Sequence, residues 1–276
     1  MSLSYQHIYH AGNQADIHKH LWLVATLDYL KKKEKPFYWL DTHSGRGLYD
    51  LASPEAMKTA EYRDGLFRLE NASCNHAVWD IYKSMIAEVN GKDSFTGKAQ
   101  KYPGSSVLTA MMLRDSDRMT SCELHPGEFA HLKRALRPFS NAKAKKTDMR
   151  HELFAALPPD ERRGGVLIDP SYELKDEYDT IAKDVLKAHR KWATGIYMIW
   201  YPMLPSGRHE TLKAHFKDFD GDIIIDEWIY GHDQQRSDER KRGMYGSGMI
   251  VINPQYTVPE TLDSLKAQIL PLFKSR

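Results

Sequence analysis

Several things are nearly absent from this chain. It has two cysteines, Cys74 and Cys122, in 276 residues. That is too few for a disulfide framework and fits a reducing compartment. No apolar run approaches the length needed to cross a bilayer. The opening residues MSLSYQHIYHAGNQAD lack the basic-then-apolar pattern of a secretion signal. Neither sign of charge dominates. With 39 basic residues against 37 acidic ones, no global field demands a nucleic acid, although local patches can still supply one. There is no internal repeat, no linker, no HExxH pair and no complete GxGxxG fingerprint. What remains is a cytoplasmic protein without membrane contact. Its length and 41% hydrophobic content are enough for one large α/β domain.

The most informative stretch is Gly164 to Tyr172, GGVLIDPSY. Val166, Leu167 and Ile168 are too short a run for a helix. Glycines precede them and Pro170 follows, which predicts a buried strand ending at Asp169. Ligands of parallel α/β sheets bind at the carboxyl ends of strands. There, Asp169 offers a carboxylate, Pro170 a carbonyl and Tyr172 an aromatic face, a set suited to a planar base with an exocyclic amine. Taken alone, the same residues also describe an ordinary Asp-Pro turn.

Other strand ends repeat the pattern. Phe37 to Leu40 reads as a first strand, followed by Asp41-Thr-His-Ser-Gly-Arg-Gly47, where Gly45 and Gly47 permit close backbone approach. Met119 to Leu124 carries Glu123 at its end, placed for ribose hydroxyls, and Ala142 to Thr147 is followed by Asp148. Four strands ending in acids are harder to dismiss than one. Gly195 to Tyr201 predicts a further strand stopped by Pro202. Asp222 to Tyr230 and Ser247 to Asn253 predict an antiparallel pair, and the charged stretch between them a solvent-facing loop.

The remainder reads as helical. His18 to Lys33 carries a stripe of Leu21, Val24, Ala25, Leu27 and Leu30. Residues 50–100 show no strand pattern and predict a helical insertion, with Ala77, Ile81, Met85 and Val89 at four-residue steps. Lys101-Tyr-Pro-Gly predicts a turn into a helix capped by Ser105 or Ser106. The leader holds His7, His10, His18 and His20, but His18 and His20 lie about 200° apart on a helix and cannot share an ion locally. No metal is expected. Tyr5, His7, His10 and Lys19 instead suggest a polar segment facing a ligand, with residues 1–13 closing over it as a lid.

Ser4-Tyr-Gln-His, His10-Ala-Gly-Asn, Ala15-Asp16 and Lys19-His20 form a specific leader. Leu40 to Gly47, Tyr102-Pro-Gly-Ser105, Glu123-Leu-His-Pro126 and Ile168 to Tyr172 follow it. Gly195-Ile-Tyr, Trp200-Tyr-Pro202 and Ser247 to Pro254 complete the series. Nearly end to end, these segments resemble the bacterial 23S ribosomal RNA adenine-N6 methyltransferases of the RlmJ type.

The resemblance implies an α/β Rossmann-like class I S-adenosylmethionine-dependent methyltransferase sheet. It would be a single domain, 1–276, with a helical insertion subdomain at 50–100. It implies cofactor contacts from Lys19, His20, His43, Ser105, Glu123, Asp148, Met149 and Asp169. Asp169, Pro170 and Tyr172 would be catalytic, and Tyr5 and His7 would meet the RNA. The partner is 23S rRNA free of most ribosomal proteins, bound by a monomer that needs no other protein. Two residues depart from the family pattern: Ser171 stands where the family has Pro, and Met149 where it has Gly. The alternatives are the same fold acting on an amine of DNA or protein, and a catalytically silent RNA-binding module.

Overall fold

The glycine-flanked apolar run becomes a strand with every residue buried, near the middle of a seven-stranded sheet. The computed structural model describes residues 5–69, 72–92, 99–231 and 243–274. In chain order the strands are β1 (Tyr38–Asp41), β2 (Leu48–Asp50), β3 (Lys101–Pro103), β4 (Arg118–Cys122), β5 (Ala142–Lys145), β6 (Gly164–Ile168), β7 (Ile196–Met203), β8 (Ile223–Ile229) and β9 (Gly246–Ile252). The helices are α1 (Gln14–Lys31), α2 (Pro54–Thr59), α3 (Ala77–Val89), α4 (Ser105–Met112), α5 (Pro126–Ala135), α6 (Met149–Ala155), α7 (Glu177–Lys191), α8 (His209–Ala214) and α9 (Val258–Lys274).

The main sheet runs β5-β4-β1-β6-β7-β9-β8. Strands β5, β4, β1, β6 and β7 are parallel, while β9 runs antiparallel to both β7 and β8. The strand order reverses direction beside β1, between β4 and β6. In an open α/β sheet that is where a crevice opens at the carboxyl ends. This is the Rossmann-like α/β arrangement expected from the sequence.

Alternation along the strands divides the core between the two faces. Val166 and Ile168 pack with Leu40, Tyr197 and Ile199 on one side; Leu167 packs with Trp39, Met198 and Val251 on the other. Helix α1 lies on the second face and is buried almost all round, including His18, Lys19 and His20. Asn13 starts it, its side chain accepting from the Asp16 N–H at 2.9 Å. Residues 50–100 fall between β2 and β3, which pair as a separate two-stranded ribbon. Tyr62, Leu66, Trp79 and Tyr82 of this segment join the core cluster of α1.

Several local expectations change. Lys101–Pro103 is a strand rather than a turn, because Tyr49 and Tyr102 pair across the ribbon. Gly104 takes the N-cap of α4, so Ser105 is a first-turn residue with its hydroxyl free for another partner. Helix α3 buries Val78, Trp79, Tyr82, Met85 and Ile86, since burying the two aromatics outweighs the smaller predicted stripe. Strand β7 runs through Pro202 to Met203, because β6 has already ended there and only β9 remains beside it. Ile8 and Ala11 of the expected lid are buried in the core. Most of the predicted solvent-facing loop, residues 232–242, lies outside the described residues, and at its far end Tyr245 is buried and Gly246 already belongs to β9.

Candidate active site

Asp169 follows β6 directly, beside the strand reversal, and opens onto a cavity of about 580 Å³. Nine of the residues singled out from the sequence line it: Tyr5, His7, Lys19, His20, His43, Ser105, Glu123, Asp169 and Pro170. They come from the leader, α1, the turn after β1, the start of α4 and two strand ends. Their convergence follows from the sheet, which points β1, β4 and β6 at one crevice.

At its centre is a buried ionic row. Lys19 Nζ lies 3.0 Å from Asp16 Oδ1 and hydrogen-bonds Asp169 Oδ2. Asp16 also accepts from His7 Nε2 at 2.9 Å and the Gly12 N–H at 2.8 Å. Tyr5 Oη bonds the other His7 nitrogen at 2.9 Å, and its ring stacks on His10. Burial alone would discharge Lys19 and Asp16, but their opposite charges prevail. Asp169 and Asp16 hold the Lys19 ammonium above its ordinary pKa; His7 and Lys19 hold Asp16 well below its own.

The β1 turn forms another wall. Gly45 has φ +55°, and a Cβ there would lie 2.3 Å from Tyr49 Oη, so a larger residue does not fit. Asp41 is fully buried and accepts from Ser105 Oγ at 2.6 Å. Burial raises its carboxyl to about 6, opposed by the Ser105 bond and assisted by the charge of Asp169. Glu123 is likewise raised by burial, although it accepts from the His125 N–H at 2.7 Å. Burial holds His43 and His20 down at about 3, so both rings are neutral near pH 7.

Three sequence-predicted residues do not line the cavity. Tyr172 has φ +52°, which turns its ring inward onto Tyr178, 4.3 Å away between centroids. Its hydroxyl donates to the Trp200 carbonyl at 2.8 Å. The aromatic wall expected of Tyr172 is supplied by Trp200, whose ring sits 5.8 Å from Lys19 Nζ. Asp148 caps α6, accepting from the Arg150 N–H at 2.8 Å, and Met149 packs into the core beneath that helix. Neither residue lines the cavity.

Sequence reasoning also passed over residues that matter here. Asp16 entered the sequence reading only as part of the leader, although an acid three residues before Lys19 on a helix is within ion-pair reach. Trp200 was noted only within a strand. Its indole donates to Ser247 Oγ at 2.9 Å, and that hydroxyl meets His18 Nδ1 at 3.0 Å. His18 Nε2 in turn meets Asp226 at 3.0 Å. No sequence signal links four residues spread over 229 positions of separation on α1, β7, β8 and β9.

The fold agrees with comparisons to known proteins. A family model described as ribosomal RNA large subunit methyltransferase D, RlmJ, matches residues 34–276. Ribosomal RNA large subunit methyltransferase J of Haemophilus influenzae is 42% identical over 270 residues, covering 98% of this chain and 92% of that protein. The protein of the same name from Escherichia coli is 35% identical over 274 residues, covering 99% and 94%. A crystal structure from Legionella pneumophila superposes with a TM-score of 0.84 at 34% identity, covering 96% of this chain and 94% of the other. On this nearly full-length likeness, the chain belongs to the RlmJ family of large-subunit ribosomal RNA methyltransferases.

Proposed function

We propose that this chain methylates the exocyclic N6 of an adenine in 23S rRNA, with S-adenosylmethionine as donor and Asp169 and the Pro170 carbonyl as acceptors for the amine. One observation carries the reading. Asp169 ends β6 at the strand reversal, in the same cavity as a donor set that matches the cofactor's groups. The fit is chemical. Lys19 and the unpartnered Nε2 of buried His20 suit an anionic end. The Glu123 carboxylate suits ribose hydroxyls, and the glycine at 45 lets the backbone come close. Ser105 and His43 complete that wall. Asp148 and Met149, which the resemblance adds to this set, would reach the cofactor only if α6 started differently.

When bound, S-adenosylmethionine supplies a sulfonium methyl group open to attack by a nitrogen lone pair. The protein's part is positioning and electrostatics, with no covalent intermediate. Lys19 holds Asp169 Oδ2 in place, which leaves Oδ1 to accept from the amine. That bond and the Pro170 carbonyl draw the amine lone pair out of ring conjugation. The adenine must first leave its stack, at a cost of a few kcal/mol, and Trp200 offers it an aromatic surface on arrival. Tyr5 and His7, which line the same cavity, would meet the RNA. Residues 1–276 act as one methyltransferase domain with 50–100 as a subdomain. The protein works as a cytoplasmic monomer on RNA largely free of ribosomal proteins.

The decisive test is labelled methyl transfer to naked 23S RNA, duplex DNA and ribosomal protein, with N6-methyladenine mapped in 23S RNA from cells with and without the gene. Asp169→Ala should abolish transfer while leaving the fold intact. Near wild-type turnover by that variant would end the assignment of Asp169.

A further inference from the structure

His20 is buried, with its two ring nitrogens in different situations. Nδ1 lies 2.8 Å from Tyr102 Oη, and Tyr102 Oη lies 2.8 Å from Tyr82 Oη. Nε2 has no partner and belongs to a side chain lining the cavity. Tyr82 is fully buried, and Tyr102 is its one hydrogen-bond partner among the described residues.

Two proton arrangements are open to this row. If His20 carried its proton on Nδ1, it would donate to Tyr102, Tyr102 would donate to Tyr82, and the Tyr82 proton would be stranded in the core. In the reverse arrangement Tyr82 donates to Tyr102 and Tyr102 donates to Nδ1. Every protein hydroxyl is then used, and the imidazole proton sits on Nε2. Each arrangement leaves one proton without a protein acceptor: in the first it is the Tyr82 proton, sealed in the core, and in the second the His20 Nε2–H, on a side chain lining the cavity where a ligand can accept it, so the second prevails.

We infer that Tyr82 and Tyr102 are positioning residues that fix His20 as a neutral Nε2–H donor facing the cofactor cavity, there to bind the cofactor's carboxylate. The inference rests on the cofactor reading above and deepens it. A neutral N–H suits this place, because Lys19 on the preceding turn position already supplies the positive charge. With the ring's pKa held low by burial, the donor keeps the same form throughout the physiological range. Tyr82 lies on α3 and Tyr102 on β3, so the segment between β2 and β3 reaches the cofactor through this hydroxyl row. That gives the insertion a part in cofactor binding, even though Tyr82 and Tyr102 do not themselves line the cavity.

The test needs no methyl transfer. Long-range proton–nitrogen correlation spectra of histidine-labelled wild-type protein should show His20 with a protonated Nε2 and a bare Nδ1 accepting a hydrogen bond. A proton on Nδ1 in the free protein would overturn the inference at once. Calorimetric titration then compares S-adenosylhomocysteine with 5′-methylthioadenosine, which lacks the amino-acid end. Tyr102→Phe should weaken the first roughly three- to tenfold, the loss of one neutral hydrogen bond, and the second less than about twofold. Equal weakening of both would reduce Tyr102 to a structural residue, and no weakening of either would also refute the role. If wild-type protein bound neither ligand, the cofactor reading itself would fail and take this inference with it.

Discussion

Replacing Lys19 by methionine tests the ionic row at its centre. Methionine keeps the length and much of the volume of the side chain but removes the one cation between two carboxylates. Asp16 and Lys19 are almost wholly buried, and Asp169 is 13% exposed at its side chain. Breaking a buried ion pair costs about 3–5 kcal/mol, because the partner's charge stays behind. Two features soften this. Asp16 retains His7 and the Gly12 N–H, and Asp169 can reach water through the cavity. The expected loss is therefore about 3 kcal/mol in denaturant unfolding at pH 7.

The pH dependence follows from the directions of the shifts. The depressed carboxyl of Asp16 contributes stability above its unfolded pKa, and that contribution is lost as pH falls through the folded value. The raised ammonium of Lys19 contributes fully below its unfolded pKa, and is lost only as pH rises through the folded value. The gap between wild type and Lys19→Met should be flat from about pH 7, above the raised Asp41 carboxyl that Lys19 also acts on, to about pH 10, and narrow at the extremes. Adding Asp169→Asn to Lys19→Met should recover about 2 kcal/mol relative to the sum of the single changes, since the two groups touch. A single-variant loss below about 1 kcal/mol, or strictly additive singles, would refute the reasoning.

Three further outcomes are expected. Ser247→Ala removes the acceptor of the Trp200 indole and a partner of His18; it should cost about 1–2 kcal/mol of stability and raise KM for RNA more than it lowers kcat. Asp148→Ala should cost about 1 kcal/mol through the lost cap of α6 while S-adenosylhomocysteine affinity stays within about twofold; a tenfold loss, about 1.4 kcal/mol, would return Asp148 to the cofactor site. Ser171→Pro, which restores the family pattern at the cavity wall, should leave methylation intact or raise it, and a collapse in rate would give Ser171 a role of its own.

What could be read from the sequence was what is local. The run Gly164–Ile168 announced a buried strand because its flanking glycines and proline act on their own backbone, whatever the rest of the chain does. Asp41, Glu123 and Asp169 were legible for the same reason, each within a residue of a strand end. The inward turn of Tyr172 was not legible, because a left-handed backbone angle at a non-glycine residue leaves no trace in composition. That one angle sends the ring to Tyr178 instead of the cavity. The ribbon of β2 and β3 went unseen because each strand has three residues and its partner lies some fifty positions away.

The polar core of the site was illegible for a different reason. Lys19 and Asp169 are 150 residues apart, His20 and Tyr102 82 apart, and His18 and Asp226 208 apart. Nothing in a histidine's neighbours states which distant oxygen will meet it. What the sequence does state is that His18, Lys19 and His20 are consecutive on a helix, so their side chains must leave it in three directions about 100° apart. A helix carrying three consecutive polar residues and buried almost all round must find three separate sets of polar partners, because unpaired burial is too costly. Each set lies on a different neighbour. His18 finds the antiparallel end of the sheet, Lys19 the mouth of β6, and His20 the ribbon and α3. Helix α1 is therefore the element through which the sheet's edge pair, the reactive carboxylate and the insertion all meet one cavity. A change in any of the three has a physical route to the site.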